Sequence, residues 1–215
     1  MGLNEIIDRC KKKSEELNKS GVIIFPVQEN KQDQEYSRIS YCGVEKKYQP
    51  CSFDNFQGGD RLKRTLRDMV VNGESVILCG GTGCGKTHLA VAMMGVYLET
   101  ATIIDALFIT TPDLLLEIRS SFTDKATMTE KELVERFSSR PFMVLDDLGA
   151  EKPTEHTIAT LSLILDRRIR QERQTIITTN LTVEEIEAYT NARIASRISE
   201  MKNVTVKMPD YRKRR

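Results

Sequence analysis

The chain has 215 residues, of which 40% are hydrophobic and 29% are charged, and its formal net charge is +1 at pH 7. This length accommodates one α/β domain with a short extension, and the composition is ordinary for a globular protein. A net charge near zero excludes a chain that binds polyanions along its whole surface. The chain has no apolar run of the roughly 20 residues that a membrane-spanning helix needs, and no signal-peptide pattern. We therefore expect a cytoplasmic protein without membrane association.

The first fifty residues differ in character from the rest of the chain. A few apolar residues between Ile6 and Leu17 fit one face of a short helix, but they are too few to form a core. Residues 28–47 are polar and have no clear period. We predict an arm and linker for partner docking over residues 1–50, and a folded domain over residues 51–215.

From residue 51 onward, short apolar strands alternate with helices. The sequence predicts strands at Val76–Cys79, Ala106–Thr110, Phe142–Leu145 and Thr175–Thr179. It predicts helices at Lys86–Leu98, Pro112–Phe122 and Thr154–Gln171, the last with Thr154 as its N-cap. Strands and helices in this order form a parallel sheet that is covered on both faces. The predicted fold class is therefore α/β.

The most specific motif is Gly80-Gly81-Thr82-Gly83-Cys84-Gly85-Lys86-Thr87, which fits G-x-x-x-x-G-K-[ST]. It follows a predicted strand and opens a predicted helix, as a phosphate-binding loop does. In such a loop, glycines let backbone N–H groups converge on phosphate oxygens, Lys86 reaches the β- and γ-phosphates, and the Thr87 hydroxyl ligates Mg²⁺. The sequence therefore predicts that the chain binds a nucleoside triphosphate.

Two carboxylates follow the predicted strand Phe142–Leu145, about sixty residues after the phosphate loop. In a phosphate-loop fold, an acid at the C-terminal end of a strand lies where Mg²⁺ and its water shell bind. We predict that Asp146 belongs to the Mg²⁺ site and that Asp147 polarises the attacking water. A purely structural pair of desolvated acids would be costly without a compensating cation.

The next predicted strand ends in an amide, Asn180. An amide can donate one hydrogen bond and accept another, so Asn180 could hold the lytic water against the γ-phosphate. The alternative is that Asn180 is a turn residue at a strand end. Its position directly after the acidic strand favours the catalytic role.

The cysteines indicate no functional site. The five cysteines have no C-x-x-C spacing, so the sequence predicts neither a zinc site nor a disulfide framework. A metal held by Cys42 and Cys51 with a distant partner is disfavoured, because the chain has only two histidines.

From Arg193 to Arg215 there are eight basic residues against two acidic ones. This segment either contacts phosphates or is a solvated terminus.

Four segments together resemble the DnaC/IstB branch of the AAA+ ATPases: Cys51–Phe56, Gly80–Ala90, Leu145–Glu151 and Thr178–Leu181. The resemblance covers about residues 51–212. It implies a five-stranded parallel sheet in the order 5-1-4-3-2 between helices, with a short N-terminal helical extension. It also implies that ATP and Mg²⁺ bind between neighbouring subunits. The nucleotide-binding residues it implies are Gly80, Gly81, Thr82, Gly83, Cys84, Gly85, Lys86, Thr87 and His88.

The resemblance also gives roles to arginines of the C-terminal segment. The stretch from Arg193 to Arg197 resembles the segment that presents an arginine finger to a neighbour's nucleotide, with Arg197 preferred and Arg193 the runner-up. The run Asp210-Tyr211-Arg212 resembles the element that supplies a sensor-2 arginine, here Arg212. A guanidinium stabilises charge on the transferring phosphoryl group. The alternative for these arginines is a surface ion pair.

Taken as a whole, the resemblance implies an ATP-dependent helicase loader. Such a protein assembles with ATP as a homo-oligomer, binds single-stranded DNA and delivers a DnaB-type replicative helicase. An IstB-like transposition helper ATPase that acts on duplex DNA fits the same motifs, as does an ATP-binding adaptor that does not hydrolyse its nucleotide. Asp147 stands where many AAA+ proteins have glutamate, so we expect slow hydrolysis.

Overall fold

A computed structural model describes residues 38–101, 104–122, 127–190 and 192–211. The strands are β1 (Val76–Cys79), β2 (Ala106–Thr110), β3 (Phe142–Leu148), β4 (Gln174–Thr179) and β5 (Lys202–Thr205). The helices are α1 (Asp60–Val71), α2 (Lys86–Thr100), α3 (Thr111–Ser120), α4 (Glu130–Ser139), α5 (Glu155–Arg170), α6 (Val183–Tyr189) and α7 (Ala192–Ser199). None of the helices among these residues is both long and apolar enough to cross a bilayer.

The five strands form one parallel sheet in the order β2-β3-β4-β1-β5. Read from the other edge, this is the order 5-1-4-3-2 that the resemblance implies, and the prediction is confirmed. Because the strands are parallel, all their carboxyl ends lie at one edge of the sheet. The phosphate loop after β1, the acids of β3 and Asn180 after β4 therefore meet at that edge.

The central strands are apolar because helices cover both faces of the sheet. On β1, Ile77 packs into one core cluster, whereas Val76 and Leu78 pack into the other, as the alternation of a strand requires. The first cluster includes side chains of α3, α4 and α5, and the second includes those of α1 and α2. This packing fixes the frame from which the loops at the carboxyl edge extend.

Most predicted boundaries agree with the structure to within two residues. Thr154 caps α5 as predicted, and its hydroxyl accepts a hydrogen bond from Thr157 N. The exception at the site is β3, which continues through both acids to Leu148 after an irregularity in its pairing with β4. The hydrophobic pattern did not identify β5, because three of its four side chains are exposed at the edge of the sheet.

Residues 38–50 pack against the domain. Ile39, Cys42 and Val44 are buried in the same core cluster as α1 and α2, and Cys42 O accepts a hydrogen bond of 2.7 Å from Phe108 N on β2. The packed region therefore begins before the predicted boundary at residue 50. The remainder of the predicted arm, residues 1–37, lies outside the described residues.

Candidate nucleotide-binding site

A cavity of about 670 Å³ opens at the carboxyl edge of the sheet. Its walls come from the phosphate loop, the ends of β3 and β4, and two segments that flank the domain, around Phe56 and Tyr211. Open α/β sheets bind their ligands in this crevice. The side chains that line it include Lys86, Thr87, His88, Asp146, Asp147, Thr178 and Asn180.

Two glycines of the phosphate loop occupy positions where a larger residue would be strained. Gly83 has φ +73° and Gly85 has φ +93°, and side chains rarely adopt such angles. A Cβ atom on Gly83 would lie 1.9 Å from Asp210 Oδ1, and one on Gly85 would lie 2.7 Å from the Phe56 ring. Gly85 is the N-cap of α2, and it has no side chain that could accept a hydrogen bond from the first-turn N–H groups. The first-turn N–H groups of α2 therefore suit an anion at the cavity.

Lys86 is almost buried, and oxygen atoms surround its ammonium group. Its Nζ donates to Gly80 O and Gly81 O, both at 2.9 Å, and to Asn180 Oδ1 at 2.7 Å. These three acceptors use all three donors of an ammonium group. The Cys84 thiol lies buried under the loop, with Sγ 3.9 Å from Lys86 Nζ. Lys86 is thus positioned inside the loop by neutral groups that an anionic ligand could replace.

The Thr87 hydroxyl and the Asp146 carboxylate lie next to each other at the cavity. The Thr87 hydroxyl lies 3.0 Å from Asp146 Oδ1 and 3.1 Å from Oδ2. Burial raises the pKa of Asp146, the neighbouring Asp147 raises it further, and hydrogen bonds from Thr178 and Thr87 together with the Lys86 charge oppose this effect. A hydroxyl and a carboxylate are the ligand types that Mg²⁺ prefers, and a cation would compensate for the burial of this acid. The residues present therefore fit the predicted Mg²⁺ site.

Asp147 has an unusual backbone conformation. Its φ is +58°, in the left-handed region that non-glycine residues seldom adopt. Its backbone N–H donates to Thr178 Oγ1 at 2.9 Å, and its Oδ1 accepts from Asn180 Nδ2 at 3.3 Å. Asp146 is buried, whereas Asp147 is only partly buried and lines the cavity. The two neighbouring acids are therefore placed differently.

Asn180 connects the lysine to the second acid. Its Oδ1 accepts from Lys86 Nζ and its Nδ2 donates to Asp147 Oδ1. A lysine only donates and a carboxylate only accepts, so this pair of neighbours determines which way the amide is turned. The structure thus brings together the loop lysine, the strand-end amide and Asp147. Their catalytic roles stay predictions.

Aromatic rings form the other end of the cavity. The Phe56 ring meets the His88 ring edge-on at 5.2 Å and the Tyr211 ring at 6.4 Å between centroids. His88 Nε2 lies 2.9 Å from Ser52 O, and burial lowers the pKa of its imidazole. Tyr211 N donates to Gly83 O at 3.1 Å, and the Tyr211 hydroxyl donates to Gln57 O. These contacts place an apolar wall next to the phosphate loop.

The C-terminal arginines lie apart from this cavity or outside the described residues. On α7, Arg197 Nε donates to Asp166 Oδ1 at 3.0 Å, and Nη1 donates to Glu200 Oε1 at 2.9 Å. Arg197 does not line the cavity of its own chain. Arg212 and the side chain of Arg193 lie outside the described residues. A finger acts on a neighbour's nucleotide, so the role predicted for Arg197 stays a prediction.

The lining residues that received no role in the sequence analysis include Thr178, Phe56 and Tyr211. The signal for Thr178 was present, since it lies two residues before Asn180 on a strand, and such residues face the same side of the sheet. Phe56 and Tyr211 lie in segments that carry the family resemblance. Their contact with the phosphate loop depends on tertiary packing, which the sequence pattern does not specify.

The sequence matches the family described as IstB-like ATP binding protein over residues 27–214. The chain belongs to this IstB-like ATP-binding family. The match covers most of the chain, so it confirms the resemblance to the DnaC/IstB branch, and the sheet order agrees with it.

This IstB-like protein is also similar to curated proteins and to proteins of solved structure. It is 27% identical over 180 residues to the replicative helicase loader DnaC of Buchnera aphidicola subsp. Acyrthosiphon pisum. The matched region covers 80% of this chain and 72% of that protein. It is 26% identical over 164 residues to the same-named protein of Escherichia coli strain K12, which covers 73% of this chain and 66% of that protein. A crystal structure of the DnaC helicase loader matches with a TM-score of 0.65 and 26% identity, over 76% of this chain and 100% of that one.

Proposed function

We propose that this chain is an ATPase that loads a replicative helicase onto single-stranded DNA. The observation that carries the ATPase part is the connected set at the carboxyl edge of the sheet, where Lys86, Asn180 and Asp147 are joined by hydrogen bonds beside the pair Thr87 and Asp146. The resemblance to proteins named replicative helicase loader DnaC supports the loading part.

Binding of the triphosphate uses the loop and the first turn of α2. Backbone N–H groups of residues 83–87 face the phosphates, and Lys86 exchanges the carbonyl oxygens of Gly80 and Gly81 for phosphate oxygens. The Thr87 hydroxyl and the Asp146 carboxylate would hold Mg²⁺, which would supply positive charge to offset that of the phosphate oxygens.

Hydrolysis uses the residues at the ends of β3 and β4. The Asp147 carboxylate accepts a proton from the attacking water, and the Asn180 amide orients that water toward the γ-phosphate. A guanidinium from Arg197 of a neighbouring chain stabilises charge on the transferring group. Turnover therefore depends on assembly, whereas nucleotide binding does not.

The loading function is tested by native mass spectrometry of this protein mixed with a DnaB-type helicase hexamer, with ATP and without nucleotide. We expect a defined complex that ATP favours. The Lys86→Ala variant is the matched control, because it should lose the ATP effect and retain any binding that does not need nucleotide. Absence of a complex with a cognate helicase would reject loading and leave the ATPase proposal standing.

Binding to single-stranded DNA should be largely electrostatic, through basic residues of the C-terminal half. We therefore expect the affinity for a single-stranded oligonucleotide to fall steeply between low and moderate salt. Fluorescence anisotropy of a labelled oligonucleotide measures this dependence. An affinity that is flat across this range would contradict the mechanism.

The family match itself favours a second candidate, an ATP-dependent transposition helper that acts on duplex DNA, as its description is IstB-like. The same anisotropy experiment separates the two candidates, because this one requires a marked preference for duplex over single strands. A protein that binds ATP but never turns it over, at any DNA concentration, would instead be an adaptor that uses ATP as a conformational ligand.

A further inference from the structure

Thr178, on β4, lies between the two acids and contacts both. Its hydroxyl donates to Asp146 Oδ1 at 2.6 Å and accepts from the backbone N–H of Asp147 at 2.9 Å. Only 1% of the residue is exposed. A single buried hydroxyl thus contacts the side chain of one acid and the backbone of the next.

The hydrogen bond from Asp147 N–H to Thr178 stabilises a strained backbone conformation at Asp147. The register joins Leu145 to Ile177 and Leu148 to Thr179, so Asp147 lies in a bulge outside the ladder between β3 and β4. A left-handed conformation at a non-glycine residue persists only when its surroundings hold it. The Thr178 hydroxyl accepts the N–H that the ladder leaves unpaired, and this conformation places the Asp147 carboxylate next to Asn180.

The contact with Asp146 fixes the orientation of its carboxylate. Oδ1 receives a hydrogen bond from the Thr178 hydroxyl, and the single proton of the Thr87 hydroxyl is within reach of both Oδ1 and Oδ2. The Asp146 backbone is anchored as well, because its carbonyl accepts from the Thr111 hydroxyl at 3.1 Å. Thr178 therefore holds the acid in the rotamer that pairs with the loop threonine.

Packing alone does not require a hydroxyl at this position. The two preceding residues of β4, Ile176 and Ile177, are fully buried β-branched side chains, and valine would continue that pattern with nearly the same shape as threonine. What valine cannot provide is the donor to Asp146 and the acceptor for Asp147 N–H.

We propose that Thr178 is a positioning residue for both acids of the site. It sets the orientation of Asp146 toward Thr87, and it holds Asp147 where its carboxylate meets Asn180. This inference rests on the proposed ATPase function and deepens it, since one hydroxyl couples the residues assigned to Mg²⁺ with the residue assigned to the attacking water.

The test compares Thr178→Val with Thr178→Ser, which keeps the hydroxyl. The matched control is Thr160→Val, which removes a buried threonine hydroxyl that donates to Glu130 Oε1 at 2.7 Å, away from the cavity. We expect Thr178→Val to lower kcat by about 10- to 100-fold, as loss of a supporting contact to a metal ligand does, and to raise KM for ATP in Mg²⁺ because the cation is held less well. Thr178→Ser should recover most of the activity, and Thr160→Val should retain it.

Two further measurements do not depend on turnover. The ratio of ATP affinity in Mg²⁺ to that in EDTA, from titration calorimetry, should fall toward one in Thr178→Val and stay unchanged in Thr160→Val. Without nucleotide, amide hydrogen exchange of Asp147 should be faster in Thr178→Val, because its N–H has lost its acceptor. If Thr178→Val does not fold, Thr178→Cys replaces it, since a thiol bonds hydrogen only weakly.

Different failures have different meanings. A Thr178→Val protein with unchanged kcat, unchanged Mg²⁺ dependence and unchanged exchange at Asp147 would overturn the positioning role and leave the proposed function intact. Equal losses in Thr178→Val and Thr160→Val would also overturn it, because they would reflect general destabilisation. A native protein that binds no nucleotide would reject the proposed function, while the exchange of Asp147 would still decide whether Thr178 holds its backbone.

Discussion

The nucleotide cavity and the surface around Arg197 differ in how complete they are within one chain. In the cavity, hydrogen bonds join the loop, β3 and β4 through Lys86, Asn180 and Asp147, so the phosphate-binding groups are preassembled. On α7, Arg197 instead pairs with Asp166 and Glu200 and faces no nucleotide site of its own chain. Under the proposed function, one chain would suffice for binding, whereas turnover would need an arginine of a neighbouring chain.

The largest expected effect separates these two regions directly. Arg197→Ala should lower the ATP turnover of the assembled protein by about 1,000-fold, because it removes the cation that stabilises the transferring phosphoryl group. ATP affinity should stay unchanged, since Arg197 does not line the cavity. Steady-state turnover and titration calorimetry measure the two quantities.

The matched control for this variant is Arg170→Ala. Arg170 pairs with the same acid, with Nη2 2.9 Å from Asp166 Oδ2, but it lies on α5 and is more exposed. We expect Arg170→Ala to retain turnover. Equal losses in both variants would mean that Arg197 acts only through its ion pair with Asp166.

A smaller but still large effect is expected inside the cavity. Asp147→Asn should lower kcat by about 100-fold or more, because the amide cannot accept the proton of the attacking water. Nucleotide affinity should be retained, which single-turnover and binding measurements can establish. Asp68→Asn, an exposed acid on α1, is the control. Normal turnover in Asp147→Asn would show that another group activates the water.

Lys86→Ala should act on binding rather than on the chemical step alone. Loss of a charged hydrogen bond of about 1.5–3 kcal/mol corresponds to roughly 10- to 150-fold weaker ATP binding. Titration calorimetry measures the change. Lys131→Ala removes an exposed lysine on α4 and should bind ATP normally. An unchanged affinity in Lys86→Ala would place the nucleotide outside this loop.

The smallest expected effect concerns stability. Gly85→Ala should lower the free energy of unfolding by about 1–3 kcal/mol, because φ at this residue is +93° and the new Cβ would meet the Phe56 ring. Denaturant unfolding measures this loss. Gly59→Ala is the control, since a Cβ there meets open space. Equal stability of the two variants would contradict the observed loop geometry.

The sequence predicted the part of the site that lies directly after buried strands. The phosphate loop, the two acids and Asn180 each follow an apolar run, and parallel strands bring such ends to one edge. The residue types there are restricted by chemistry, because phosphate needs glycine N–H groups and a cation, and Mg²⁺ needs oxygen ligands. These restrictions allowed the sequence to predict which residues meet at this edge, and their roles stay predictions.

The sequence did not predict features that depend on contacts between distant segments. Arg168 is fully buried on α5, and its guanidinium donates to Phe137 O, Arg140 O, Gln174 O and Thr175 Oγ1. Burial lowers the pKa of Arg168 to about 9. An arginine on a helix is ordinarily exposed, so only the positions of those four acceptors explain its burial.

The same limitation applies to β5 and to residues 38–50. The run Lys202–Thr205 has no alternating apolar pattern, because it is an edge strand whose pairing with β1 comes from backbone hydrogen bonds. Residues 38–50 are polar overall, but three buried side chains suffice to attach them to the core. The overall composition of a segment does not reveal a few buried side chains of this kind.

The central claim is that one chain binds ATP but hydrolyses it only when assembled with another chain. The most direct test is ATP turnover per chain as a function of protein concentration, with bound ATP measured in the same samples. We expect bound ATP per chain to be constant at saturating nucleotide, while turnover per chain rises with protein concentration and stays low in Arg197→Ala. A turnover per chain that is constant across concentrations and unaffected by Arg197→Ala would contradict it.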